Sequence, residues 1–206
     1  MPTMLDRTSS LIPEKDRIIL VEGKDDALLI GAICEQEGFG DSVQLVRYSQ
    51  HGKLASVLDV LVRRPEFERV MRIGLTRDSD DGAASATQSM SNAWHRTQET
   101  LKQIRMSAPE CHYFAIPDNR SSGRLENLCL LSATFPEVLV CAERMHECAK
   151  QASDHDIDRE KGIVAAYLSM MDRPGLELGT AAKAGCWNLR TEAFAPLRSF
   201  VRLIAG

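Results

Sequence analysis

Short apolar runs rich in β-branched residues alternate with helical stripes over the first 116 residues, and this most constrains the fold. Residues 17–21 (RIILV) read as a buried strand that Glu22-Gly23 ends. Ala27, Leu28, Ile30, Ala32 and Ile33 suit a helix over 24–37, closed by Gly38 and Gly40. Residues 43–48 (VQLVRY) form a second strand, and Leu54, Val57, Leu58, Leu61 and Val62 a helix that Pro65 stops. Residues 70–76 (VMRIGLT) make a third strand. A stripe of Ala86, Met90, Trp94, Thr97, Leu101 and Ile104 then marks a long helix with Trp94 in the core. Residues 111–116 (CHYFAI) are a fourth strand, ended by Pro117. The alternation predicts an α/β fold with an open, mostly parallel, four-stranded sheet flanked by helices.

Beyond Ser121-Ser122-Gly123 the pattern becomes helical, over 124–131, 136–150, 159–172 and 191–204. Trp187 is expected to pack these helices together. Asp154, Asp156, Asp158 and Glu160 read as a solvated linker. The expected organisation is an N-terminal arm over 1–16, an α/β domain over 17–120, and a helical C-terminal extension over 121–206 packed on it.

Composition bounds the function. The chain has 206 residues with 25 basic and 29 acidic ones, a formal net charge of −4, which excludes coating nucleic acid by bulk charge. Aromatic residues at 5% argue against a stacking platform for single strands. Charge is uneven: 43–77 carries seven basic and three acidic residues, and 137–160 three basic and seven acidic. The sheet region can therefore face phosphate where the extension does not. No run of about 18 apolar residues marks a spanning helix. The acids and polar residues in MPTMLDRTSSLIPEKDR are unlike a signal peptide, so a cytoplasmic chain is expected. Six scattered cysteines without a CxxC pair read as buried small hydrophobes. Cys141, His146 and Cys148 do not share one helical face, which disfavours zinc.

The acids sit at special places. Glu22 follows the first strand, and Asp78 and Asp80 follow the third. Open α/β sheets gather ligands at the carboxyl ends of strands where strand order reverses. If the two strands are neighbours, the carboxylates converge. Asp78 and Asp80, two apart in an extended segment, would point to one side. Three converging carboxylates repel one another, and a hard divalent cation, Mg²⁺ or Mn²⁺, relieves that repulsion. Gly23 and Gly82 permit a sharp turn and close approach of a ligand to the backbone. Lys24 is a candidate phosphate contact. Asp25 and Asp26 equally suit the start of a helix, and Asp78 and Asp80 an ordinary turn. Glu126 is either a further ligand or general base, or a capping residue at the third position of a helix starting near Gly123. His51, beside Gly52 and Lys53, is a further loop candidate for phosphate.

Ile18-Ile19-Leu20-Val21-Glu22-Gly23-Lys24-Asp25-Asp26, followed at a later strand end by Asp78-Ser79-Asp80, resembles the TOPRIM domain. Topoisomerases, primases, recombination mediators and the OLD (overcoming lysogenization defect) nucleases share that domain. The nearest likeness is to small stand-alone TOPRIM proteins related to the OLD nucleases. It covers residues 17 to about 118 and extends weakly through Gly123-Arg124-Leu125-Glu126-Asn127-Leu128. The resemblance implies a Rossmann-like sheet and a Mg²⁺ or Mn²⁺ site on Glu22, Asp78 and Asp80. It implies phosphodiester cleavage of DNA or RNA, with Glu126 or Asp26 assisting and Gly23, Lys24 and Asp26 near the substrate. Three departures stand out. Thr76 and Arg77 replace aliphatic residues, which implies a less buried strand end, and Arg77 can neutralise the site. Gly82 takes the place of a third acid usual in topoisomerases and primases. No GxxxxGK[ST] stretch provides the phosphate loop of the ATPase joined to full OLD nucleases. The alternative is a non-catalytic module that binds metal, nucleic acid or a partner protein. A third is phosphotransfer with Asp78 as nucleophile.

Overall fold

The computed structural model describes residues 10–49, 53–153 and 156–206. His51, Asp154 and residues 1–9 of the expected N-terminal arm lie outside the described residues. Four strands form one all-parallel sheet: β1 (Arg17–Val21), β2 (Gln44–Arg47), β3 (Arg72–Asp78) and β4 (Glu110–Ile116). Their order is β2-β1-β3-β4. The chain therefore steps outward from β1 to β2, then returns across β1 to β3 and continues to β4. Strand order reverses between β1 and β3, the arrangement that brings the first and third strand ends together.

The reversal explains the layers. Helix α1 (Lys24–Gln36) follows β1, and α2 (Leu54–Val62) and α3 (Ala83–Gln103) follow β2 and β3. Right-handed crossovers in opposite directions put α1 on one face and α2 with α3 on the other. Successive strand residues serve opposite faces. Ile18, Leu20, Ile73 and Leu75 pack under α2 and α3 with Trp94. Ile19, Val21, Phe114 and Ile116 pack toward α1.

The α1 face is completed by the C-terminal helices α4 (Leu125–Leu131), α5 (Pro136–Ala152), α6 (Arg159–Ser169), α7 (Leu178–Lys183) and α8 (Ala195–Ala205). Phe200 of α8 lies against Phe114 of β4, ring centroids 5.3 Å apart. Trp187 is buried, donates to the Leu178 carbonyl at 3.0 Å and stacks on Tyr167 at 5.1 Å. Gly74 of β3 lets α8 approach: a Cβ there would stand 2.7 Å from Phe200 Cζ and 3.1 Å from Ile204 Cγ1. Those neighbours are side chains that can shift. Gly74→Ala is expected to cost about 1–3 kcal/mol in urea denaturation, as overpacked cores do; an unchanged midpoint would contradict it.

Several local expectations are revised. β3 begins at Arg72 and runs through Asp78, because Val70 closes the 3₁₀ turn Pro65–Arg69 and β4 pairs with β3 from Arg72↔Glu110 to Asp78↔Ile116. Thr76 is fully buried, and its hydroxyl donates to the Leu20 carbonyl at 3.2 Å. Thr76 therefore does not open the strand, since the bond satisfies its hydroxyl, while Arg77 and Asp78 after it are half-buried. Helix α7 falls where the sequence pattern gave none, and α6 ends at Ser169. Asp158 is no free linker residue; it caps α6, accepting from the Lys161 N–H at 3.1 Å. Cys34, Cys129 and Cys186 are buried, but Cys141 and Cys148 are exposed. Helix α5 buries Ala142 and His146, and its remaining surface is open or half-open. No helix among the described residues is long and apolar enough to cross a membrane.

Candidate functional site

The site forms at the carboxyl edge of β1 and β3. Tyr48 and Ser49 continue the β2–β1 ladder, their N–H groups donating to the carbonyls of Val21 (2.9 Å) and Glu22 (3.1 Å). This sets the Tyr48 side chain beside Glu22, whose Oε2 accepts from the hydroxyl at 3.1 Å. Tyr48 was not singled out from the sequence; its signal is its place at the end of the strand flanking β1. Burial, then the neighbouring Glu22 charge, pushes its phenol well above the usual range, so the hydroxyl keeps its proton.

Glu22 lines a cavity of about 210 Å³ together with Arg77, Asp78, Asp80, Gly82 and Ser89. The sheet thus brings the three predicted metal-site acids around one small space. Asp78 carries the strongest electrostatic signature. Burial, then the negative charges of Asp26, Glu22, Glu126 and Asp80 in that order, raise its pKa to about 8. Its Oδ1 is buried and accepts no hydrogen bond from the chain. Asp26, on the first turn of α1, repeats the pattern. Its Oδ2 accepts from the Gly23 N–H at 2.9 Å, its Oδ1 is buried without a partner, and burial raises its pKa to about 6. Gly23 is extended, with φ −117°, so it supplies no left-handed turn. What it supplies is room: a Cβ there would stand 2.9 Å from Asp26 Oδ2. Gly82 does make a left-handed turn, with φ +97°.

Two details differ from the expected arrangement. Asp78 and Asp80 are not an extended pair, because β3 ends at Asp78, although both line the same cavity. Ser79 then exchanges backbone hydrogen bonds with Gly123 at 2.9 and 3.1 Å. That bridge draws the start of α4 against the end of β3. Arg124 arrives with it and pairs with Asp80 through Nε and with Asp158 through Nη1, the latter at 2.6 Å. Sequence reasoning missed this role for Arg124, since its partners lie 44 and 34 residues away. Lys24 is paired with Glu177 ahead of α7, so it does not stand over the cavity in this arrangement. Arg77 lines the cavity but donates to Ser89 Oγ at 2.7 Å.

Glu126 lies in the first turn of α4 and is close enough to raise Asp78. Capping belongs to its neighbour: Asn127 Oδ1 accepts from the Arg124 N–H at 2.8 Å. Asp25, paired with Asp26 in sequence, faces away and accepts from the Gly179 N–H at 2.8 Å.

Among the described residues, no three His, Cys, Asp or Glu side chains are gathered closely enough to hold a metal ion. The donors themselves suit a hard divalent cation. All are carboxylate oxygens, two are buried without a partner, and their mutual repulsion is uncompensated around Asp78. Asp80 is paired with Arg124.

No curated protein and no solved structure matches the chain. The family model described as "Protein of unknown function (DUF3226)" matches residues 16–205. With all four strands and all the acids of the site inside that match, the chain belongs to the DUF3226 family.

Proposed function

We propose that this chain is a TOPRIM-like, Mg²⁺- or Mn²⁺-dependent phosphodiester-processing protein of the nuclease or nicking type, acting on DNA or RNA. One observation carries the reading. Asp78 is a buried carboxylate with an unpartnered oxygen, set among four other acids at the switch point of a parallel sheet. Retaining such a cluster costs stability unless a cation joins it. Glu22, Asp78 and Asp80 would hold that cation, with Asp26 and Glu126 behind them. When bound, it would polarise a phosphodiester and lower the pKa of attacking water.

The chain's own groups have distinct tasks. The Tyr48 hydroxyl keeps its proton and fixes the Glu22 carboxylate through its 3.1 Å bond. Asp26 is held by the Gly23 N–H and presents its free oxygen toward the same charge cluster. Glu126, at the start of α4 and near enough to Asp78 to raise its pKa, would take a proton from the attacking water. Arg77, tethered by Ser89, supplies positive charge at the wall of the cavity. The basic stretch of 43–77 supplies a phosphate-attracting surface on the same half of the chain.

Supercoiled plasmid, linear duplex, single-stranded DNA and RNA, each incubated in Mg²⁺ and in Mn²⁺, test the reading. Nicking or cleavage is expected in the wild type and at least about 100-fold less in Glu22→Gln and Asp80→Asn, as for loss of a metal ligand. Absence of cleavage on every substrate, together with absence of Mn²⁺ binding by calorimetry, would refute it. A second reading is favoured by the diversion of Asp80 to Arg124: a non-catalytic module that serves a partner protein. Partner capture that survives loss of Glu22, Asp78 and Asp80 together would select that reading.

A further inference from the structure

Among the described residues, Arg124 is the one whose side chain ties an acid of the candidate site to the C-terminal helices through ion pairs on both sides. Its Nε edge is on Asp80 and its Nη1 on Asp158 Oδ2. Asp158 is anchored independently, since its Oδ1 accepts from the Lys161 N–H at the start of α6. Among the described residues Asp80 makes its ion pair with Arg124 alone, so its orientation depends on the guanidinium.

We propose that Arg124 is a positioning residue that trades partners: it holds Asp80 in the cation-free chain, and when a divalent cation takes Asp80 it stays on Asp158 and offers its freed N–H edge to a phosphate of the substrate. This rests on the metal-site reading given above. Three physical points support the exchange. A guanidinium and a divalent cation on one small carboxylate repel each other, so each weakens the other. The planar fork of arginine can keep one partner while releasing another, which a lysine point charge cannot do. Once Asp80 is neutralised, the freed edge sits beside the cavity, and planar N–H pairs of arginine match phosphate oxygens. The exchange also accounts for the open arrangement of the acids: Glu22, Asp78 and Asp80 share a cavity without closing into a ligand set.

The test measures binding as well as turnover. Mn²⁺ is titrated calorimetrically into the wild type and into Arg124→Gln. Removing the competing charge is expected to tighten Mn²⁺ about fivefold, the scale of a partly exposed ion pair. Inorganic phosphate is then titrated into each Mn²⁺-saturated protein, and Arg124→Gln is expected to bind it about fivefold more weakly. If Arg124 merely orients Asp80 for the cation, Arg124→Gln binds Mn²⁺ more weakly, and the proposal is overturned. Unchanged Mn²⁺ affinity, or unchanged phosphate affinity at saturation, overturns it too. A wild type that binds no Mn²⁺ removes the metal site and this proposal together. A wild type that binds Mn²⁺, with a variant that binds no tighter, removes this proposal alone. Circular dichroism checks folding. If Arg124→Gln is unfolded, Arg124→Lys carries the same test, with both shifts expected in the same direction because one ammonium cannot span Asp80 and Asp158.

Discussion

At pH 8 and without divalent cations, the Asp78→Asn protein is expected to unfold at a higher temperature than the wild type while losing Mn²⁺ binding. The Asp78 pKa is raised to about 8, first by burial and then by the charges of Asp26, Glu22, Glu126 and Asp80. A carboxyl whose pKa is higher folded than unfolded binds more protons in the native state. Its stabilising contribution is complete below the unfolded value near 4 and is lost as pH rises through about 8. Asp26 adds a loss of the same sign, ending near pH 6. The wild type should therefore weaken steadily from pH 4 to pH 8. Asparagine keeps the shape and removes the charge. One pKa unit corresponds to about 1.4 kcal/mol, so even half of the shift gives roughly 2–3 kcal/mol at pH 8. For a chain of this size that is about 5–10 °C in Tm. At pH 5 most of that loss has not yet occurred, and the gap should narrow. Saturating Mn²⁺ at pH 8 should reverse the order, stabilising the wild type alone by mass action. Thermal unfolding at pH 5 and pH 8, with and without Mn²⁺, reads all of this. A variant that is less stable at pH 8, or a gap independent of pH, would contradict the picture of Asp78 as an uncompensated buried acid.

The acids that make this prediction were visible in the sequence because local patterning placed them. Ile18 to Val21 and Ile73 to Leu75 are apolar on both faces, as strands covered by helices on each side must be. Whatever follows such a strand lies at the sheet edge, so Glu22 and Asp78 could be put there without a structure. Their convergence needed one further fact, that β1 and β3 are neighbours, and only pairing supplies it.

The features that stayed hidden depend on long-range contact. Met71 looks like strand, yet it is 65% exposed, and β3 starts after it because β4 pairs only from Arg72 onward. Asp80 obeys period-two geometry only if the strand continues, and the Ser79–Gly123 bridge ends it. No local signal announces that bridge or the Arg124 pairing that follows. The 121–206 segment reads as an extension because its stripes are helical. In space, α8 reaches β1, β3 and β4, so it covers the sheet directly and shares the core of the α1 face. Helix α7 is six residues long with three small residues among them, too short and too weakly apolar to show a period.

That unremarked helix carries the other large effect. Gly179→Ala is expected to destabilise the protein by about 3 kcal/mol or more, as overpacking against atoms that cannot yield does. Alanine within a helix would ordinarily stabilise relative to glycine by about 1 kcal/mol, so the sign itself is diagnostic. Helices α1 and α7 meet at Gly179. A Cβ there would stand 2.7 Å from the Asp25 carbonyl oxygen, 2.7 Å from Leu28 Cβ and 2.8 Å from Asp25 Cα. Two of those atoms are backbone of α1 and the third is fixed to it, so only separation of the helices relieves the contact. Separation would also stretch the 2.8 Å bond from the Gly179 N–H to Asp25 Oδ1, next to Asp26. The strain therefore enters the turn that carries the site's own acids. Gly162→Ala in α6 is the contrast: its Cβ would stand 2.9 Å from Nδ1 of His146, a ring that can turn aside. Urea denaturation should show a clearly larger loss for Gly179→Ala than for Gly162→Ala. Mn²⁺ affinity should fall with the first and hold with the second. A Gly179→Ala protein as stable as the wild type would mean that α7 is free to slide on α1, and that the first turn of α1 is held in place by other contacts.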